Sequence, residues 1–94
     1  MENQHQKIKG YRELSQHEID LMNDIKTQGV ALESLIEKIN IHLLGQAEDA
    51  HNGNSQLQHH LWNTEPNRWS GIAKTQLQQG LMALTRAVAQ PTTF

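Results

Sequence analysis

The sequence predicts an all-α fold, a helical hairpin of one long N-terminal helix and one C-terminal helix. Three observations carry that expectation. Apolar residues recur at alternating intervals of three and four along two stretches, Ser15 and Glu18 have capping-box spacing before the first, and Pro66 opens the second. No strand-like alternation or internal repeat appears.

The elements follow in order within a single expected helical domain, 1–94. Residues 1–15 read as a basic arm and helix cap, with Lys7, Lys9 and Arg12 around Gly10 and Tyr11, the single tyrosine of the chain. The Ser15 hydroxyl can accept from a first-turn amide that has no helical partner, while Glu18 reaches back to the Ser15 N–H. The first helix is expected over 16–44. Its seam runs Met22, Ile25, Gly29, Leu32, Ile36, Ile39 and Leu43, and Leu21, Leu35 and Leu44 widen it toward a further neighbour. Gly29 costs about 1 kcal/mol against alanine inside a helix, so it marks a kink or a close approach. Residues 45–63 form a polar connector rich in Gln, Asn and His, with a turn at Asn52-Gly53-Asn54. Within it, 55–62 is either a short helix or an extension of the next one. The second helix is expected over 66–90, with Pro66 at its first position, where the missing N–H costs nothing. Trp69, Ala73, Leu77, Gly80, Leu84 and Val88 line one face, with Ile72 and Leu81 beside them. Gly80, Ala83 and Ala87 form a small-residue stripe suited to a close helix contact. Pro91 ends the run and leaves 91–94 as a tail.

Such a chain buries little surface alone. It has 94 residues, 36% of them hydrophobic, few aromatics and no cysteine for a disulfide or a thiolate metal site. Oligomerisation is the remaining common way to cover two wide apolar faces. The polar N-terminus lacks signal-peptide character, and no apolar run approaches the roughly 20 residues that cross a bilayer. An intracellular protein with no membrane partner is therefore expected, and the lack of cysteine fits a reducing compartment.

Charge narrows the partners further. A formal net charge of −2 argues against binding long nucleic acid. Nine of the ten acids fall within 13–65 and none follows Pro66, where Arg68, Lys74 and Arg86 stand. A chain near neutral overall and locally basic at both ends suits a small anion better than a polyanion.

The residues do not read as an enzyme, and no catalytic residue, cofactor or metal is expected. The six histidines include the adjacent His59 and His60, which point apart on a helix, and none has HExxH or His-x3-His spacing. Cysteine nucleophile, G-x-S-x-G elbow, phosphate loop and dinucleotide glycine motif are all missing. The chemistry that stands out is an aromatic face beside cations at a helix start, which suits stacking on a nucleobase and neutralising a phosphate. The plainer reading, an arm whose tyrosine packs on the protein, stays open at this point. Lys26 lies eleven residues beyond Ser15, roughly 16 Å along a straight helix. Tyr11 and Lys26 of one chain therefore do not grip one small ligand, whereas two antiparallel copies bring Tyr11 of one near Lys26 of the other. Such a two-fold interface matches a two-fold-like cyclic dinucleotide. The alternative for Lys26 is a solvated lysine paired with Asp20 or Glu33.

Lys9-Gly10-Tyr11-Arg12-Glu13-Leu14, then Glu18-Ile19-Asp20-Leu21-Met22-Asn23 and Ile25-Lys26, resemble the phage anti-CBASS sponge proteins, type 2. The stretch from Leu77 to Pro91 is similar to the same family, so the resemblance covers 5–44 and 66–94. It implies a compact homohexamer without catalytic activity, which binds the cyclic di- and trinucleotide messengers of bacterial CBASS immunity in the cytoplasm of the infected host. It also implies a cyclic dinucleotide site at Tyr11 and Lys26 between chains, flanked by Gly10 and Arg12. A second site, for cyclic trinucleotides, is expected at Arg68, in the first turn of the second helix, whose N-terminus favours anions, with Thr92 and Thr93 of the C-terminal tail. The rivals are a sponge for another signal, such as Thoeris cyclic ADP-ribose isomers, a helical protein-binding adaptor, and a phosphodiesterase that degrades the messenger.

Overall fold

The backbone enters helix at Ser15. In the computed structural model, which describes residues 13–93, both bonds of the capping box are made. The Glu18 N–H donates to Ser15 Oγ at 3.2 Å, and the Ser15 N–H donates to Glu18 Oε1 at 2.9 Å. Helix α1 (Gln16–His51) follows, then α2 (Ser55–Thr64) and α3 (Pro66–Ala89). The described chain is all-α, as the periodicity predicts.

Helix α1 runs to His51, past the expected end at 44. Its shielded positions explain why. Met22, Ile25, Gly29, Leu32, Ile36 and Leu43 are all partly covered, and the same alternation of three and four carries on to Gln46 and Ala50. The seam is therefore longer than its apolar signal, because a polar and a small residue occupy its last two steps. Ala50 is the one buried hydrophobic residue among those described, at 8% exposure.

The turn after α1 falls on Asn52-Gly53-Asn54, where the sequence places it. The Gly53 N–H reaches Ala50 O and the Asn54 N–H reaches Asp49 O, both at 3.4 Å, the pattern of a Schellman ending. Gly53 holds the left-handed position at φ 113°, which a side chain disfavours. Asn54 ends this motif and starts the next, since its Oδ1 accepts from the Leu57 N–H at 3.1 Å and caps α2. Most of the expected polar connector is thus helical. Its glutamines and asparagines lack apolar periodicity, so local capping rather than a hydrophobic stripe marks the boundaries.

Glu65 separates α2 from α3 in a left-handed conformation, φ 50° and ψ 54°. Its N–H donates to Leu61 O at 3.0 Å, and its carbonyl accepts from Trp69 N at 3.2 Å, so one residue ends one helix and caps the next. Pro66 then takes the first helical position, as predicted. The far end of α3 repeats the device: Gln90 has φ 50° and donates to Arg86 O at 2.8 Å, and Pro91 follows.

The chain divides into two compact units. In the first, the start of α1 up to Val30 packs with α3 from Gln78 onward. A Cβ placed on Gly29 would meet Leu81 Cδ1 at 3.4 Å, ordinary contact with a side-chain end of α3. In the second, Ala31–Leu77, the Ser70 hydroxyl of α3 donates to Asn40 Oδ1 of α1 at 2.7 Å.

One expectation needs correcting. The face predicted for the second helix is only partly covered. Ile72, Leu81 and Val88 are partly shielded, as expected, together with Ser70 and Thr85, while Trp69 and Leu84 of the same predicted face are 58% and 55% exposed. Nothing lies within 4 Å of a Cβ on Gly80. The apolar stripe of α3 is wider than one neighbouring helix covers, and its Trp69–Gly80–Leu84 edge is left facing solvent. No helix among the described residues is long and apolar enough to cross a membrane.

Candidate ligand-binding site

Lys26 sits in the third turn after the capped start of α1 and is exposed. The i,i+4 lattice puts Met22 and Val30 on its side of the helix. Val30 is 70% exposed, so the ammonium stands at the edge of uncovered apolar surface. Gly10, Tyr11 and Arg12 lie outside the described residues.

Arg68 occupies the first turn of α3, in the second unit. Its Nη1 is 3.8 Å from Glu65 Oε2, with both side chains more than half exposed. Its guanidinium carbon lies 5.2 Å from the Trp69 ring centroid, within cation–π range. The stretch from Pro66 has no acid of its own, but Glu65, one residue earlier, supplies Arg68 with a carboxylate. An exposed pair of this kind contributes about 0–1 kcal/mol, so an incoming phosphate competes with it easily.

Thr92 and Thr93 follow Pro91 in the first unit. Arg86 Nη2 donates to the Thr93 carbonyl at 3.1 Å and ties the tail to the last turn of α3. Thr93 is thus held through its backbone, which leaves its hydroxyl a separate group. Arg68 belongs to one unit and the two threonines to the other, so neither unit by itself brings the three together.

Sequence reasoning passed over Trp62. It is 82% exposed on α2 and forms a wall of two open hollows in the second unit. One, of about 370 Å³, is bounded by Ala47, Ala50, His51, Gln58 and Leu61. The other is bounded by Ser55, Gln58 and His59. The available signal was a tryptophan in a polar segment where the core does not require one. Among the described residues, no group of three or more His, Asp or Glu side chains comes together in a way that could hold a metal ion.

Three helices with broad uncovered apolar faces place this chain among small all-α proteins. Comparison with known sequences identifies the family. The family model described as "Acb2/Tad1, hairpin domain" matches residues 3–89, and the chain belongs to that family. It is also similar to Anti-CBASS protein 2 of Pseudomonas phage JBD67, at 40% identity over 105 aligned positions, covering 97% of each chain.

Proposed function

We propose that this protein is a non-catalytic sponge that sequesters the cyclic di- and trinucleotide messengers of bacterial CBASS immunity in the cytoplasm of an infected host, so that the effector is not activated. The observation that carries this reading is the end-to-end similarity to Anti-CBASS protein 2, which leaves no large part of the chain unmatched. The cyclic dinucleotide site is formed between chains. Tyr11 of one chain stacks on a base, with Gly10 and Arg12 beside it, and Lys26 of another neutralises a phosphate. The second site uses Arg68 at the start of α3 together with Thr92 and Thr93. The uncovered faces of α1 and α3 support an oligomer, and a homohexamer is the assembly proposed.

The test is calorimetry with cyclic dinucleotides, cyclic trinucleotides and cyclic ADP-ribose isomers, followed by recovery of the ligand after denaturation. Tight binding of intact cyclic di- and trinucleotides is expected. Binding of only the ADP-ribose products would make this a sponge for a different signal. Recovery of linear nucleotides would make it a phosphodiesterase, and captured host protein without nucleotide affinity would make it an adaptor.

A further inference from the structure

We infer that Asn52-Gly53 is a site of spontaneous backbone modification, at which Asn52 loses ammonia and the α1–α2 turn acquires a carboxylate. The reaction needs no partner but water. The Gly53 backbone nitrogen attacks Asn52 Cγ, the new C–N bond closes a five-membered succinimide, and the side-chain nitrogen leaves as ammonia. Water then opens the ring at either carbonyl. One opening gives aspartate, and the other gives isoaspartate, with the main chain routed through the former side chain.

Three features select this asparagine. Glycine follows it, so no side chain hinders the attacking nitrogen, and Asn52 is the only asparagine of the chain followed by glycine. Asn52 is exposed and lies in the turn beyond the end of α1. The Gly53 N–H is held by a single long bond, 3.4 Å to Ala50 O, and no side-chain hydrogen bond restrains Asn52 among the described residues. Asn23, Asn40 and Asn63 stand inside helices, where the following N–H is normally committed to the ladder and the backbone holds it away from the side-chain carbonyl, and Asn67, in the first turn of α3, is followed by the bulky Arg68. Asn40 is further held by Ser70, and Asn54 caps Leu57. Asparagine is among the residues least durable to heat, and this is the position where geometry restrains it least.

The product alters the turn. The Asn52 N–H donates to Glu48 O at 2.9 Å to close α1, and Asp49 lies in the same hollow. A new negative charge there stands at the C-terminal end of a helix, where the dipole disfavours it. The isoaspartate form also adds a methylene to the backbone between the last turn of α1 and the Asn54 cap.

The experiment is a warm incubation of the full chain, followed by tryptic digestion and electron-transfer fragmentation. No Lys or Arg lies between Lys38 and Arg68, so peptide 39–68 carries Asn40, Asn52, Asn54, Asn63 and Asn67 together, and fragmentation must assign the site. The amide-to-acid mass change is expected at position 52 first, as a mixture of aspartate and isoaspartate, with ammonia released in step. Asn52→Gln should abolish that early change, since ring closure then needs a less favourable six-membered ring. Asn52→Asp should migrate on ion exchange with the aspartate form of the aged protein. Loss spread evenly over the asparagines, or appearing first at Asn54 or Asn63, would overturn the proposal. So would an aged chain whose position 52 is intact while an unfolded control reacts.

Discussion

Ser15 and Glu18 form a reciprocal pair, each capping a backbone N–H of the other. Ser15→Ala removes one of those bonds and is expected to lower stability by about 1 kcal/mol in chemical denaturation. The pair also sets where α1 begins, and hence the spacing from the preceding arm to Lys26. Tyr11→Ala is expected to weaken cyclic dinucleotide binding by about 1–3 kcal/mol for each base it stacks on. Lys26→Ala should weaken it too, and more strongly at low salt, because an exposed cation is otherwise screened. Both variants should keep the parent's oligomeric state by light scattering. Parent-like calorimetric titrations from both would remove these residues from the site.

Glu65 and Gln90 hold left-handed conformations without being glycine, at a cost of roughly 1 kcal/mol each. Glu65→Gly is therefore expected to raise the denaturation midpoint slightly, since the exposed contact to Arg68 that it sacrifices contributes little. A lowered midpoint would mean that the helix junction depends on that carboxylate.

Two of the helix glycines, Gly29 and Gly80, face different situations. Gly29 looks onto Leu81 Cδ1 and Gly80 onto open space. Gly29→Ala should gain up to about 1 kcal/mol of helix propensity, because a Cβ there makes ordinary contact with a flexible side-chain end. Gly29→Phe should destabilise the chain, because the larger group meets Leu81. Gly80→Glu should leave helix content by circular dichroism unchanged and act on the interface between chains, shifting light scattering toward a single chain's mass. An intact multimer in Gly80→Glu would place the interface elsewhere. At this scale the sequence was legible where signals were local: the Ser15 cap, Pro66 at the start of α3 and the Gly53 turn. It was not legible where a helix continued through Gln46 and Ala50, since the first is polar and the second too small to stand out. The inward face of α3 was equally hidden, because a stripe wide enough for two neighbours does not say which edge each takes.

Across the molecule, the described residues bury a single hydrophobic side chain and leave Val30, Ile41, Trp62 and Met82 at least 70% exposed. A chain of this size with so little enclosed surface is expected to draw much of its stability from association. Its denaturation midpoint should therefore rise with protein concentration, and a concentration-independent midpoint would count against the multimer. The six-chain assembly proposed above, with two-fold and three-fold axes, would offer two kinds of environment for ligand. A two-fold interface suits a cyclic dinucleotide, and a three-fold axis suits a cyclic trinucleotide. Cyclic trinucleotide titrated into protein saturated with cyclic dinucleotide should bind independently, and that binding should be lost in Arg68→Ala. Competition between the two ligands would reduce the two sites to one. Lys26 was legible as a helix cation and Arg68 as a cation in the first turn of a helix, whereas the Glu65 carboxylate and the Trp69 ring that flank Arg68 were not, since only the folded turn brings them to it.

Heptad spacing, the Ser15–Glu18 pair and the proline and glycine positions by themselves determined that this chain is helical and where α1 and α3 begin. They could do so because each acts over one or two turns of backbone, within reach of the residues that specify it. Motifs at both ends also identified the family, which the match over residues 3–89 shows. Only the tertiary structure decided that α1 continues to His51, that Glu65 serves two helices at once, and which edge of α3 turns inward. Those outcomes depend on which surfaces meet across the chain, and pairing of that kind is set by long-range packing that no local pattern encodes.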